Sequence, residues 1–257
     1  MRHIRGGVII IGSLFWETGD KKNTIQEKKP KELGQFRKKW REENLHLAEK
    51  KTIPLPIRYG RCSSTRKCTY TMVFSETVLQ NLGQGLIIPF NKKFDFSKYI
   101  TLKEQAILLA KAEGIIEVTK KQEKQLYKKW GCIAVYINKN SEYKEVIKKY
   151  WEKLIKLKTS KYDINGIERF EFANNSPLIN DKFMLSENVQ VDTDLDFLLF
   201  TYIQPKHRNE SLEAYPTAIE IAEEINRTGY ETYFYKNIEN KIFTALDNEV
   251  IEKLLKI

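Results

Sequence analysis

The spacing of hydrophobic positions along the chain predicts both strands and helices. Short runs rich in β-branched residues are typical of buried strands, whereas apolar positions three or four residues apart are typical of amphipathic helices. The first pattern predicts strands at residues 8–11, 53–59, 68–75, 85–89, 130–138, 197–203 and 230–235. The second predicts helices at residues 33–47, 101–114, 142–157, 216–227 and 247–255. The chain therefore mixes strands and helices along its length.

Capping residues and prolines set several of these boundaries. Thr101 followed by Glu104 has the pattern of a capping box, and Gly114 is the residue type that ends helices in the left-handed conformation. Pro54 and Pro56 exclude a helix around them, because alternate prolines force their neighbours into extended conformations. We therefore expect an edge strand there, which pairs with the strand at residues 68–75 through a polar hairpin tip.

These elements predict an α/β protein of mixed α+β type in two parts. Residues 158–190 show weaker patterning and contain turn sequences such as Asn-Asn-Ser-Pro, which indicates a boundary near residue 160. The prediction is an α/β domain at residues 1–160 and a smaller C-terminal α/β segment of unknown role at residues 161–257.

The composition favours an ordinary globular protein. The 257 residues are 41% hydrophobic and 12% aromatic, with 12 glycines and 7 prolines. The three cysteines form no Cys-x-x-Cys unit and the three histidines are scattered, so we expect reduced thiols and no zinc site. The apolar stretch at residues 8–14 is too short for a membrane span or a signal peptide. We expect a soluble, unprocessed, cytoplasmic protein without membrane contact.

The formal net charge of +10 is concentrated at one end of the chain. Residues 1–70 hold 17 Lys or Arg and 7 Asp or Glu, whereas the other 187 residues hold 27 of each. Such a segment can bind the phosphates of nucleic acid, because their neutralisation releases counterions. It can equally be the solvated face of a helix. The candidate nucleic-acid contacts are Lys21, Lys22, Lys28, Lys29, Arg37, Lys38 and Lys39.

A glycine and a serine at the exit of the first strand form a candidate binding loop. Residues 8–16 read VIIIGSLFW, so that an apolar run ends abruptly at Gly12 and Ser13. Glycine lets the backbone come close to a ligand, and the free N–H groups of Gly12, Ser13 and Leu14 can cradle a carboxylate or a phosphate. An ordinary tight turn at the end of a strand would have the same sequence.

Arginines near the predicted hairpin form the second candidate site. Arg58, Arg61 and Arg66 alternate with Tyr59 and Tyr70. This arrangement can bind a carboxylate, a phosphate or a stacked base. A solvent-facing hairpin whose arginines donate to loop carbonyls would show the same residues, so both interpretations stay open at this point.

Three stretches of the chain resemble the gamma-glutamyl cyclotransferase-like families. The families open with a strand that leads into a Tyr-Gly-Ser-Leu loop, often followed by a tryptophan. The matching residues here are Ile11, Gly12, Ser13, Leu14 and Trp16, with isoleucine where the families have a tyrosine that helps to line the substrate pocket. The stretch RYGRCSSTRKCTYTMVFS is similar to a family strand that carries Ser and Arg before a further apolar strand.

The resemblance, which lies within residues 8–138, implies a fold and a set of site residues. Ser63, Ser64 and Arg66 would lie at the rim of the site, and the catalytic glutamate of the families would fall on Glu113, at the end of EQAILLAKAEG. The implied fold is a small mixed-sheet barrel with flanking helices. The implied reaction releases 5-oxoproline from a gamma-glutamyl compound and requires neither a metal nor an organic cofactor.

Such a cyclisation needs a group that takes up a proton and then returns it. The ammonium group of the substrate loses a proton so that its nitrogen can attack the side-chain carbonyl, and the departing amine gains one. A single carboxylate serves both steps if partial burial raises its pKa. Glu113 is the candidate, although Glu104, Glu113 and Glu117 are also compatible with plain surface charges.

The sequence thus leads to one main expectation and two alternatives. The main expectation is an enzyme that binds a small anionic ligand between Gly12, Ser13 and Leu14 on one side and Arg58, Arg61, Ser63 and Arg66 on the other. The first alternative is a non-catalytic protein that binds nucleic acid or another macromolecule through its basic first quarter. The second is a cyclotransferase-like scaffold that has lost the chemistry, because a fold alone does not supply a function.

Overall fold

The computed structural model describes residues 3–19, 28–63, 66, 68–92, 94, 100–119, 126–128, 130–159, 178–208 and 215–256. The strands in this part of the chain are β1 (Gly6–Ile10), β2 (Lys51–Leu55), β3 (Ile57–Ser63), β4 (Thr69–Phe74), β5 (Gly83–Pro89), β6 (Tyr127–Lys128), β7 (Gly131–Ile137) and β8 (Phe197–Ile203). The helices are α1 (Lys28–Asn44), α2 (Ile100–Ala112), α3 (Lys144–Thr159), α4 (Ala218–Thr228), α5 (Thr232–Glu239) and α6 (Asp247–Leu254). The predicted mixed α+β class is confirmed.

Six of the strands form one mixed sheet in the order β2-β5-β1-β8-β7-β6. β1 pairs antiparallel with β5 and parallel with β8, and β8 pairs antiparallel with β7. β1 is buried at all five positions and β8 at six of its seven, as expected for central strands covered on both faces. Within the described residues, β2 and β6 are the edge strands of the sheet and do not pair with each other. The described strands therefore do not form the closed barrel that was expected.

β3 and β4 form a separate antiparallel hairpin, which the sequence predicted in part. The strand predicted at residues 53–59 is divided at Pro56, because residues up to Leu55 belong to β2, which pairs with β5. The pairing shifts by one residue between Tyr59 and Arg61, which bends the strand. The far end of β3 is tied to the segment that follows β8, because Cys62 N donates to Lys206 O at 2.9 Å and Lys206 N donates to Gly60 O at 2.8 Å. These bonds hold the end of the hairpin that leads to its tip, which carries Arg66.

The central strand β8 comes from the C-terminal part of the chain. It lies between β1 and β7, so both halves of the sheet depend on it. A division near residue 160 consequently does not separate two sheets, since residues 161–257 supply the strand that joins the elements of residues 1–160.

The core fills the space between this sheet and the helices. Its largest fully buried side chains include Trp40 of α1, Trp151 of α3, Phe200 of β8 and Phe234 of α5, all in one hydrophobic cluster. Helices from both parts of the sequence therefore cover the same core. No helix in the described ranges combines the length and the apolar character that a membrane crossing requires.

The strand predicted at residues 230–235 was wrong, because this segment leads into helix α5. Its buried residues are Tyr230, Tyr233, Phe234 and Asn237. They recur at intervals of three, one and three residues, which fits one face of a helix and not the alternating faces of a strand. The concentration of aromatic residues inside a window of six residues concealed this longer period.

Candidate functional site

The chain turns sharply where β1 ends. Phe15 N donates to Gly12 O at 3.1 Å, and Glu17 N donates to Ser13 O at 2.8 Å. A Cβ atom on residue 12 would lie only 2.7 Å from Tyr233 Oη, so glycine is required here for the close approach of α5. The space that a side chain on residue 12 would need is thus taken up by Tyr233.

Glu17, which the sequence pattern did not single out, lies at the centre of a buried group of charges. Its Oε2 atom accepts a hydrogen bond from Arg66 Nη2 at 2.8 Å and another from Arg37 Nη1. Arg66 Nη2 also donates to Ser13 Oγ at 2.8 Å. We call Ser13, Glu17, Arg37, Arg66 and Glu113 the charge cluster. It joins the exit of β1, helix α1, the hairpin tip and the end of α2.

Glu113 follows α2 directly and lies at the side of the charge cluster. Its Oε1 atom accepts a hydrogen bond from Thr201 Oγ1 of β8 at 3.1 Å, and its Oε2 atom is 3.8 Å from Arg37 Nη2. Arg37 Nε also donates to Ala112 O at 2.6 Å, which fixes α1 against the end of α2. The Glu113 side chain remains 17% exposed, so that a ligand or water can reach it.

The two carboxyl groups of the charge cluster have opposite pKa shifts. Burial raises the pKa of Glu17, but the charges of Arg37 and Arg66, with hydrogen bonds from Arg66 and Ser13, outweigh it and lower the pKa to about 2. At Glu113 burial dominates, so its pKa lies above the ordinary value despite Arg37 and the Thr201 hydroxyl. Glu17 is therefore charged at neutral pH, while Glu113 is suited to exchange a proton.

Positive charge exceeds negative charge around these carboxyl groups. Arg41, also buried, donates to Leu14 O at 2.6 Å and to Glu17 O at 3.1 Å. Burial and the neighbouring Arg37 lower the Arg41 pKa to about 10, which leaves it cationic at neutral pH. Three guanidinium groups thus face two carboxyl groups, one of which resists ionisation. Such a surplus favours the binding of an additional anion.

Aromatic side chains of α5 and the turn before it close the cluster on another side. The Arg66 guanidinium lies 5.6 Å from the centre of the Tyr233 ring, and Tyr230 forms a hydrogen bond with Arg66. Trp16 Nε1 donates to Asn237 Oδ1 at 2.7 Å, and the Trp16 ring meets Tyr233 edge to face. The three- and four-residue spacing of these α5 residues is the signal that could have identified them from sequence.

Several of the residues predicted from sequence meet at this site. Ser13, Arg66 and Glu113 belong to the charge cluster. Leu14 contributes its carbonyl to Arg41 and buries its side chain. Ser63 Oγ lies 3.4 Å from Arg66 Nη1. The exit of β1 and the tip of the hairpin, which were expected to face each other, are therefore in direct contact, whereas Ser64 lies outside the described residues.

Arg58 and Arg61 have other partners. Arg58 Nη1 donates to Thr77 Oγ1 at 3.0 Å, and its guanidinium lies 4.4 Å from the centre of the Tyr215 ring. Arg61 Nη1 donates to Gln204 O at 2.8 Å, and its guanidinium lies over Trp130. Among the contacts described for this chain, neither arginine reaches the charge cluster. They fit the alternative interpretation, in which arginines of the hairpin hold neighbouring segments.

Among the basic residues proposed for nucleic acid, Arg37 does not lie on the surface of the protein. Arg37 is 5% exposed and belongs to the charge cluster, while Lys38 and Lys39 of the same helix are exposed. Lys21 and Lys22 lie outside the described residues, as do the side chains of Lys28 and Lys29. The inward orientation of Arg37 removes it from any solvent-facing basic surface.

The fold and the site define a mixed α+β protein with a buried arginine–carboxylate cluster. No known family matches the chain, and neither a curated protein nor a solved structure does. Within the described ranges, no three or more His, Cys, Asp or Glu side chains are grouped so that they could hold a metal ion. The resemblance to the cyclotransferase-like families stays a prediction.

Proposed function

We propose that this protein binds a small gamma-glutamyl compound at the charge cluster and cyclises it, with release of 5-oxoproline. The observation that carries the proposal is the convergence of Glu113 with Ser13 and Arg66. It combines a carboxyl group of raised pKa with a surplus of positive charge. The first is what proton transfer requires, and the second is what an anionic substrate requires.

In this mechanism Glu113 handles the protons while the arginines hold the substrate. Ionised Glu113 takes a proton from the substrate ammonium, and the amine nitrogen then attacks the gamma carbonyl carbon. The bond between that carbon and the departing amine breaks as Glu113 returns the proton to the amine. Thr201 keeps the carboxyl group oriented through its hydrogen bond, and Arg66 attracts the substrate carboxylate.

The test is the formation of 5-oxoproline from gamma-glutamyl dipeptides and gamma-glutamyl amines. We expect Glu113→Gln to lower kcat by about 100-fold or more, because removal of an acid–base group costs that much. Glu104→Gln is the matched control, since Glu104 is exposed on α2 and has the same chemistry. The control should retain the wild-type rate.

Two outcomes would contradict the proposal. One is the absence of turnover in the wild-type protein, and the other is equal turnover by Glu113→Gln. If the protein instead bound RNA or DNA with an affinity that fell steeply with salt, and if charge reversal at Lys21, Lys22, Lys28 and Lys29 weakened that binding, the nucleic-acid alternative would replace the enzymatic one.

A further inference from the structure

The Glu17 carboxylate occupies a position that is built to hold an anion. Arg37 and Arg66 both donate to the same oxygen, Oε2, and Ser13 also hydrogen-bonds to this carboxylate. The Arg37 and Glu17 side chains are only 6% and 13% exposed. We call the space between Ser13, Arg37 and Arg66 the carboxylate slot, which the protein fills with one of its own side chains.

The donors around the carboxylate slot are not used up by Glu17. Among the described residues, Arg66 Nε is buried and has no hydrogen-bond partner. Arg66 Nη1 has a long contact with Ser63 Oγ, at 3.4 Å, and Tyr230 also hydrogen-bonds to the Arg66 guanidinium. A guanidinium group presents its N–H donors as a planar fork that fits the two oxygens of a carboxylate. Arg66 can therefore accommodate an anion in more than one position.

Glu17 lies in a turn, where hydrogen bonds of its main chain hold it in place. Its main-chain N–H donates to Ser13 O, and its carbonyl accepts from Arg41. Rotation of the side chain can remove its carboxylate from the slot without breaking these main-chain bonds. Two buried guanidinium groups without a neighbouring negative charge would destabilise the protein. An anion that takes the place of the Glu17 carboxylate supplies that charge.

We propose that the carboxylate slot is a ligand site that Glu17 fills in the free protein, and that the carboxylate of an incoming ligand displaces Glu17 from it. The ligand class is a small monocarboxylate or an amino-acid carboxylate, because the slot holds a carboxylate of that size already. The identification of this ligand as the substrate rests on the proposed function, whereas the exchange itself does not.

The experiment uses chemical rescue in the full-length protein. Glu17→Ala removes the carboxylate and leaves a space of similar volume. We expect this variant to unfold at a lower temperature than the wild-type protein in sodium chloride. Sodium formate at the same ionic strength should raise its unfolding temperature by several degrees in a saturable manner. The wild-type protein should also gain stability in formate over chloride, but only at higher concentrations, because formate must displace Glu17 before it can enter the slot.

Two further variants localise the effect. Glu43→Ala is the matched control, since Glu43 is an exposed carboxylate paired with Lys39 of α1, so this variant should respond to formate as the wild-type protein does. Adding Arg66→Gln to Glu17→Ala should abolish the rescue, because the principal donor is lost. Glu17→Ser is measured in parallel, since its hydroxyl offers the arginines an acceptor if the alanine variant does not fold.

Saturable rescue of either Glu17 variant by formate, together with a saturable effect of formate on the wild-type protein at higher concentrations, supports the proposal. Equal effects of formate and chloride on both variants overturn it, and so does rescue that persists after Arg66→Gln. Equal effects of the two salts on the wild-type protein at every concentration also overturn it, because Glu17 is then not displaced. These measurements follow unfolding and not 5-oxoproline. A failure of rescue therefore leaves the cyclisation test standing, and a failure of cyclisation leaves the rescue standing.

Discussion

At the scale of single residues, Asp247 combines burial with an unfavourable charge. It is 4% exposed, and its Oδ1 atom accepts from Thr244 Oγ1 at 2.6 Å and from Thr244 N at 3.0 Å. Burial raises its pKa to about 6, although these hydrogen bonds act in the opposite direction. The pKa of Asp247 is higher in the folded protein than in the unfolded chain. The proton on Asp247 therefore contributes fully to the free energy of unfolding below pH 4, and this contribution is lost as the pH rises through 6.

Asp247→Asn should remove this pH dependence. The asparagine keeps an oxygen acceptor for Thr244 but carries no charge, so we expect the variant to gain up to about 3 kcal/mol over the wild-type protein between pH 4 and pH 8. Urea unfolding across this range measures the difference. Glu249→Gln, an exposed carboxylate of the same helix, should follow the wild-type curve. A constant difference between Asp247→Asn and wild type at every pH would refute the assignment.

Sequence patterns identified Glu113 but not its partners. Glu113 ends an apolar helix, and that position suggested burial. Arg37, Arg41 and Asn44 are all buried at intervals of four and three residues on α1. These residues have the spacing of a helix face but are polar, so the pattern of apolar residues does not indicate that they are buried. Burial of Arg37 depends on Glu17, a partner 20 residues away that the local pattern cannot supply.

At the scale of elements, the turn after β1 and helix α5 are fitted to each other at one point. The Tyr233 hydroxyl lies 2.7 Å from the position that a Cβ atom of residue 12 would take, and it accepts a hydrogen bond from Met72 N at 3.1 Å. Any side chain on residue 12 must therefore push α5 away or break that hydrogen bond. The glycine of the first loop is explained by this contact.

A double-mutant cycle tests this contact. Gly12→Ala should destabilise the protein by about 1–3 kcal/mol, as overpacking does. Tyr233→Phe alone should cost about 1 kcal/mol for the lost hydrogen bond. The double variant should be more stable than the sum of the single changes predicts, because removing the hydroxyl relieves the clash. Additive free energies of unfolding would show that the two residues do not interact.

Elements with long or strongly apolar patterns were predicted well. The strand at residues 197–203 coincides with β8, and the helix ending at Gly114 coincides with α2 within two residues at each end. Gly114 has a φ of +76°, the left-handed conformation that glycine favours at helix ends. The order of the strands in the sheet could not be predicted from the sequence. Strands that pair are far apart along the chain, and each apolar run could pair with several others.

At the scale of the whole molecule, stability depends on β8 as the link between two half-sheets. A fragment of residues 1–160 retains β1, β5 and β7 but lacks the strand that pairs with both β1 and β7. We expect this fragment to lack the native fold, with poorly dispersed amide resonances in NMR spectra. Addition of residues 161–257 as a second fragment should restore dispersion. A well-folded isolated fragment would contradict the expected dependence.

The position of β8 also affects how the protein is made. Gly6 of β1 pairs with Phe197 of β8, and synthesis proceeds at about 5–20 residues per second, so one edge of β1 waits roughly 10–40 s for its neighbour. Throughout this interval an apolar strand has unpaired backbone groups, the condition that invites aggregation and recruits chaperones. The newly made chain is therefore most vulnerable on the ribosome, long after its first strand has emerged.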